Sequence, residues 1–183
     1  MIANPLEEGL VCEDHLPLSW VAVDALPSKP QLTALNLSNE ALVRACEGLE
    51  ETHRPTEESP ELAHELARLD AKMNLVLELL GDWLLAQGKH PVACDVRFNA
   101  SGIEWSSLEG PEPQTLAKLS VYVCAALPKP MVIYGQVVSR EAAADGVMRT
   151  VVRFEGVSDS LRDGLERLIF RRHRREVAQL KGR

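Results

Sequence analysis

No two cysteines in this 183-residue chain stand in a CxxC pair, for Cys12, Cys46, Cys94 and Cys124 lie far apart. With no signal peptide at its start, the chain is expected to be cytoplasmic and to keep these four as reduced thiols. His15, His53, His64, His90 and His173 are equally scattered, none at ligand spacing from a cysteine or carboxylate, so no metal is expected. No apolar run approaches the ~20 residues needed to cross a bilayer, which excludes a membrane-spanning helix. GxSxG, HExxH and GxxxxGK[ST] are absent. The neighbouring carboxylates Glu50/Glu51 and Glu57/Glu58 suit a solvated surface better than an acid–base pair. No catalytic residue and no cofactor are expected, and the chain does not read as an enzyme. An excess of positive charge is missing too: a net charge of −7 argues against general nucleic-acid binding.

The charge that is present is unevenly placed. Residues 1–70 hold fourteen acidic and four basic side chains, whereas residues 155–183 hold five acidic and eight basic. The sharpest basic feature is the run Arg171, Arg172, His173, Arg174, Arg175. Such a cluster can grip a phosphate-bearing ligand or an acidic partner. It can also be a solvated face near a helix C-terminus, where cations meet the helix dipole favourably. A pairing with the acidic N-terminal half is a further option. The sequence leaves these open.

Length suits one domain with an elaboration, or two small ones. The most ordered pattern lies between Ser59 and Gly88. Leu62, Leu66, Leu69, Met73, Val76, Leu80 and Trp83 follow one another in alternating steps of four and three. That is a heptad seam, the pattern by which helices zip onto one another. Ser59 and Pro60 suit the helix start and Gly88 its stop. From Leu75 onward Leu77, Leu79, Leu84 and Leu85 widen the apolar band beyond what two strands need, which favours a tetramer over a dimer. The same helix could instead pack only within its own chain. Self-association is the reading preferred here.

Taken in order, residues 1–31 form an acidic arm, loose over 1–14, followed by a strand at Leu16–Val23 in which Pro17 marks an edge or a late start. Residues 32–88 are expected to make a helical hairpin: a first helix from about Leu32 or Ser38 to Glu51, a loop at Thr52–Ser59, then the heptad helix. Residues 89–183 change texture. Val92–Phe98, Gly102–Ser107, Ala117–Ala125, Met131–Ser139 and Val147–Phe154 are β-prone runs between turn-rich pieces. With Leu16–Val23 they make six strands, enough for a small antiparallel barrel without edges. A helix from Ser158 to Leu180 ends the chain, capped by Ser158 or Ser160. Trp20 and Trp105 are expected in the core or an interface. The expected class is α+β.

A helix-terminated six-stranded barrel whose second strand runs into Asp95-Val-Arg-Phe-Asn-Ala-Ser-Gly-Ile-Glu-Trp105 resembles the PilZ domain, a family of bacterial receptors and adaptors for cyclic di-GMP. Gly135–Val138, Val151–Phe154 and the tail from Leu168 add to the likeness. The preceding heptad helix is similar to an atypical, oligomer-forming subgroup from xanthomonads, for which the resemblance implies a tetramer built through long helices. Ligand-binding members carry an RxxxR pair before the barrel and a [D/N]xSxxG turn. Here no RxxxR precedes the barrel, and the turn aligns as Arg97, Asn99 and Gly102, keeping only the glycine. A second register starting at Asn99 keeps Asn99 and Ser101 but sets Glu104 where the glycine belongs. The resemblance therefore implies a non-enzymatic signalling adaptor in pathways controlled by cyclic di-GMP, acting through oligomerisation and contacts with an unidentified protein partner. Binding of cyclic di-GMP in the usual way is not expected. The alternative is a receptor with a divergent pocket made of Arg97, Asn99, Gly102, Arg171, Arg172, Arg174 and Arg175. A nucleic-acid regulator using the same cluster is disfavoured by the net charge.

Overall fold

A computed structural model of the chain describes residues 4–50, 60–86, 91–124, 126–143 and 146–181. The described strands are β1 (Cys12–Val23), β2 (Ala93–Phe98), β3 (Gly102–Ser107), β4 (Leu116–Val121), β5 (Met131–Ala142) and β6 (Met148–Glu155). Three helices accompany them: α1 (Lys29–Glu50), α2 (Pro60–Ala86) and α3 (Asp159–Lys181). The strands close into an antiparallel barrel in the order β1-β2-β3-β6-β5-β4. All six fall where the β-prone runs were read.

Closure depends on β1 serving two neighbours. Its first half, Cys12–Pro17, pairs with β2, and its second half, Leu18–Val23, pairs with β4. Pro17 sits at the changeover, where a residue without an N–H costs the ladder least. Inward side chains alternate along each strand with a period of two. Val96, Phe98, Ile103, Trp105, Leu119, Val121, Ile133, Val137, Val152 and Phe154 are thereby buried in one core. Gly135 is needed on β5 because an added Cβ would lie 2.4 Å from the Arg153 carbonyl oxygen.

The expected hairpin of α1 along α2 is not seen among the described residues. α1 lies against α3 and β5, and Leu42, Val43 and Cys46 join the barrel's core cluster. The approach to α3 is close, since a Cβ at Gly164 would come 3.3 Å from Val43. The helix also begins earlier than Leu32 or Ser38. Ser28 caps it: its N–H and its hydroxyl both donate to Gln31 Oε1, at 3.0 and 2.8 Å, the return half of a capping box. Ser38 lies inside the helix and accepts from Lys129 Nζ. At the other end of the chain Ser158 is the cap, its hydroxyl accepting from the Leu161 N–H. The expected cap Ser59, the loop Thr52–Ser59 and the stop Gly88 lie outside the described residues.

One polar residue of α1 fixes its seat. Asn39, 2 % exposed, donates from Nδ2 to the Val132 carbonyl at 2.7 Å and accepts from the Val132 N–H at 3.1 Å. Pairing of β5 with β6 begins only at Tyr134, so Asn39 supplies the partner that the ladder lacks at Val132. Asn39→Leu would orphan both backbone groups. Stability should fall by about 2–3 kcal/mol, read as a lower urea midpoint at unchanged slope. A loss below ~0.5 kcal/mol would mean that the pair is not needed.

Candidate functional site

The turn between β2 and β3 is where the resemblance would put a ligand loop, and where this chain's own residues read as a structural turn. Asn99 is buried and its amide is fully engaged. Nδ2 donates to the carbonyls of Pro5 and Glu8 at 2.8 and 2.9 Å, and Oδ1 accepts from the N–H groups of Ser101 and Gly102 at 2.8 and 2.9 Å. Two donors and two lone pairs are the whole capacity of an amide, so nothing remains for a ligand. Gly102 faces the same segment, for a Cβ there would meet Pro5 at 2.5 Å and the Val152 carbonyl at 2.6 Å. Residues 4–11 are thus not loose: Leu6 is buried, and Asn4–Glu8 straps the turn. A cavity of about 610 Å³ opens beside it, over Leu10, Ala100, Ile169 and Phe170. Its lining carries the carboxylates of Glu8, Asp163 and Glu166 against one guanidinium, Arg167. The balance of charge there is negative, which disfavours phosphate.

Arg97 points away from the core. β1 sets Glu13 opposite it and β3 sets Glu104 on its other side. The guanidinium lies 3.1 Å from Glu13 and 3.4 Å from Glu104, and Arg149 reaches the same Glu104 oxygen at 3.7 Å. Glu104, buried though charged, is held between two cations.

The tail cluster divides along α3. Arg172 turns inward: its side chain is 14 % exposed, and it donates to Glu50 at 3.0 and 2.8 Å, to Asp14 at 3.2 Å and to the Val123 carbonyl. Arg175 pairs with Glu50 Oε2 at 3.2 Å and also bonds the Glu50 carbonyl at the end of α1. Arg174 lies 5.9 Å from the ring of Phe170. Arg171 is half-buried and His173 exposed on the same helix. The solvated-face reading is therefore corrected for Arg172, and the pairing with acidic N-terminal residues is what the fold uses. Arg97 and Arg172 do not share a pocket. Their partners Glu13 and Asp14 are consecutive on β1 and so face opposite sides of the strand. Among the described residues Arg97 is engaged by Glu13 and Glu104, and Arg172 by Glu50 and Asp14.

α2 is the exception to this economy of partners. Leu62, Leu66, Leu69, Met73, Val76, Leu80 and Trp83 are each between 43 % and 60 % exposed. Leu75 and Leu79 are exposed as well. Against the barrel, Asn74, Leu77 and Gly81 only line one wall of a cavity of about 630 Å³, opposite Leu16, Tyr122 and Leu127. A helix that leaves so much apolar surface uncovered has the form of one side of an interface.

One feature escaped the sequence reading, the strap over Asn99. It joins segments remote in sequence, which no local pattern announces. Among the described residues there is no group of three or more metal-ligating side chains, and no helix is long and apolar enough to cross a membrane.

The model of one protein family, described as "Atypical PilZ domain, cyclic di-GMP receptor", matches residues 41–182. Among solved structures, a pathogenic protein from Xanthomonas campestris is similar, with 26 % identity, a TM-score of 0.71, and 92 % of this chain and 90 % of that chain covered. That protein is described as a new tetrameric PilZ domain self-assembled via an unusual helical bundle. No curated protein matches significantly.

Proposed function

The chain belongs to the atypical PilZ domain family, and from that premise we propose that it is a non-enzymatic, oligomeric signalling adaptor in a cyclic di-GMP pathway. The observation that carries this reading is α2, whose heptad seam is uncovered along its described length. Copies of the chain are its natural cover, because each brings the same seam. The Xanthomonas protein, which assembles through a helical bundle, supports a tetramer. Four joined barrels act through multivalency: each weak contact with a partner protein raises the effective concentration of the next. Light scattering tests the assembly directly. A mass four times that of the chain is expected, and a monodisperse monomer at working concentration would end the proposal.

The family's description names a receptor, whereas this chain's residues argue for an adaptor that does not grip cyclic di-GMP in the usual way. No RxxxR pair stands in residues 1–92, Asn99 is fully engaged with its own chain, and Arg97 and Arg172 are engaged by carboxylates. Losing two charge-assisted guanidinium contacts, each worth about 1.5–3 kcal/mol, weakens binding roughly a hundred- to ten-thousand-fold. Calorimetric titration with cyclic di-GMP should show no heat of binding at micromolar concentrations. Low-micromolar binding by the isolated protein would restore the receptor reading.

A further inference from the structure

Three segments line the cavity of about 610 Å³ beside the β2–β3 turn: residues 8–10 ahead of β1, residues 99–101 in the turn, and part of α3. Ala100 and Ile169 give it a closed, buried apolar lining. Its other two apolar residues are left bare. Leu10 is 40 % exposed and Phe170 55 %, although each borders a cavity where it could have been covered. Gly9 takes φ +84°, so the chain turns sharply just before Leu10.

Charge is ordered along the same helix. Asp163, Glu166, Phe170 and Arg174 follow at steps of three, four and four, and so share a face of α3. Asp163 and Glu166 line the cavity, and Glu8 joins them from the strap. All three carboxylates are exposed, and among the described residues no cation pairs with any of them. The guanidinium groups nearby are engaged elsewhere. Arg167 leans on Glu47 of α1 at 3.5 Å. Arg162 donates to the Ala100 carbonyl at 3.3 Å and the Ser101 hydroxyl at 3.4 Å. Arg174 lies 5.9 Å from the Phe170 ring, one turn beyond the cavity's acidic end.

We propose that this cavity seats a segment of a partner protein that carries a large apolar side chain next to arginine or lysine, the apolar group entering between Leu10 and Phe170 and the cation lying against Glu8, Asp163 and Glu166.

This rests on the adaptor reading, which calls for a protein partner and leaves its chemistry open. An aromatic and an aliphatic wall around an apolar lining form the kind of well in which one anchor residue carries much of a contact. The carboxylates then decide which anchor is accepted. A cation beside the anchor finds three unpaired acids, which speeds encounter and fixes orientation. An acidic segment meets the same three as repulsion, and selection against the wrong partner follows without further contacts. A second copy of this chain is the poorer occupant. Its uncovered apolar helix, α2, carries five acidic residues against two basic ones, the wrong sign for this rim.

The test uses the full chain and three fluorescent peptides, one of alternating arginine and leucine, one with glutamate for arginine, one with glycine for leucine. Anisotropy should show saturable binding of the arginine–leucine peptide and at least ~tenfold weaker binding of the other two. A photoactivatable leucine in the first should cross-link to Leu10 or Phe170, mapped by mass spectrometry. Glu8→Lys with Glu166→Lys should weaken binding at least ~tenfold, and added salt should weaken the wild type. Both changes fall on exposed side chains, and an unchanged dichroism spectrum checks that the barrel is intact. Absence of saturable binding, equal binding of the glutamate or glycine peptide, cross-links elsewhere, or an affinity indifferent to the two lysines would each overturn the proposal. Light scattering on the same sample keeps the two readings apart. An assembled protein that ignores the peptide ends this inference alone, whereas a monomer that binds it at Leu10 and Phe170 ends the assembly alone.

Discussion

Replacing Leu66, Met73 and Leu80 of α2 together with glutamate is expected to convert the assembled protein into a monomer while leaving the barrel folded. The three positions lie one heptad apart, 43 % to 59 % exposed, and no α2 residue whose burial is described belongs to the core cluster. Their loss therefore costs the single chain little. The cost falls on association. Full burial of one large aliphatic side chain is worth about 1.5–3 kcal/mol, so covering the half-exposed seven yields on the order of 5–10 kcal/mol per chain. Ordering of side chains and lost rigid-body freedom oppose this. Removing three apolar anchors takes away nearly half of the gain, and each glutamate adds an unpaired charge to a dry seam. Light scattering should report the mass of one chain, and far-ultraviolet dichroism should keep its strand signal. An unchanged mass would place the interface elsewhere on the molecule.

The seam was legible in sequence because a heptad is local: seven apolar residues at steps of four and three leave the face of a helix little choice. The strands were legible for the same reason. Gly102–Ser107 was read with its observed bounds, since a turn of Asn-Ala-Ser-Gly precedes alternation of period two. Where the reading went astray, the deciding contact was remote. α1 has an apolar stripe that would fit α2 or α3 equally; Asn39 settles the matter by completing β5, a role no helical periodicity reveals. The N-terminal arm, with no period, reads as loose, yet its backbone carbonyls are what Asn99 holds. Carbonyl partners are invisible in sequence because every residue offers one. The basic run reads as one patch because its members are adjacent. A helix turns 100° per residue, so neighbours point apart. Arg172 goes inward and Arg174 stacks on Phe170.

That division of the cluster sets the second large effect. Arg172→Ala should destabilise the fold by about 2–4 kcal/mol, because it removes the two-bond fork on Glu50 and leaves Arg175 as that carboxylate's remaining cation. Both partners are largely shielded, with side chains 14 % and 17 % exposed, so solvent cannot replace the lost fork at little cost. The Val123 carbonyl loses a donor as well, and Asp14 loses its cation. Arg172→Lys keeps a point charge but not the forked geometry, and should recover only about half of the loss. A cycle with Glu50→Ala separates the pair from its surroundings: the double variant should be less damaged than the sum of the singles by about 1–3 kcal/mol. Urea denaturation in the monomeric α2 background keeps assembly out of the measurement. Added salt should change the loss little, since a shielded pair is weakly screened. A solvated arginine would behave otherwise, costing under ~0.5 kcal/mol on replacement. That outcome would return Arg172 to the surface and leave Arg175 as the tie between the end of α1 and α3.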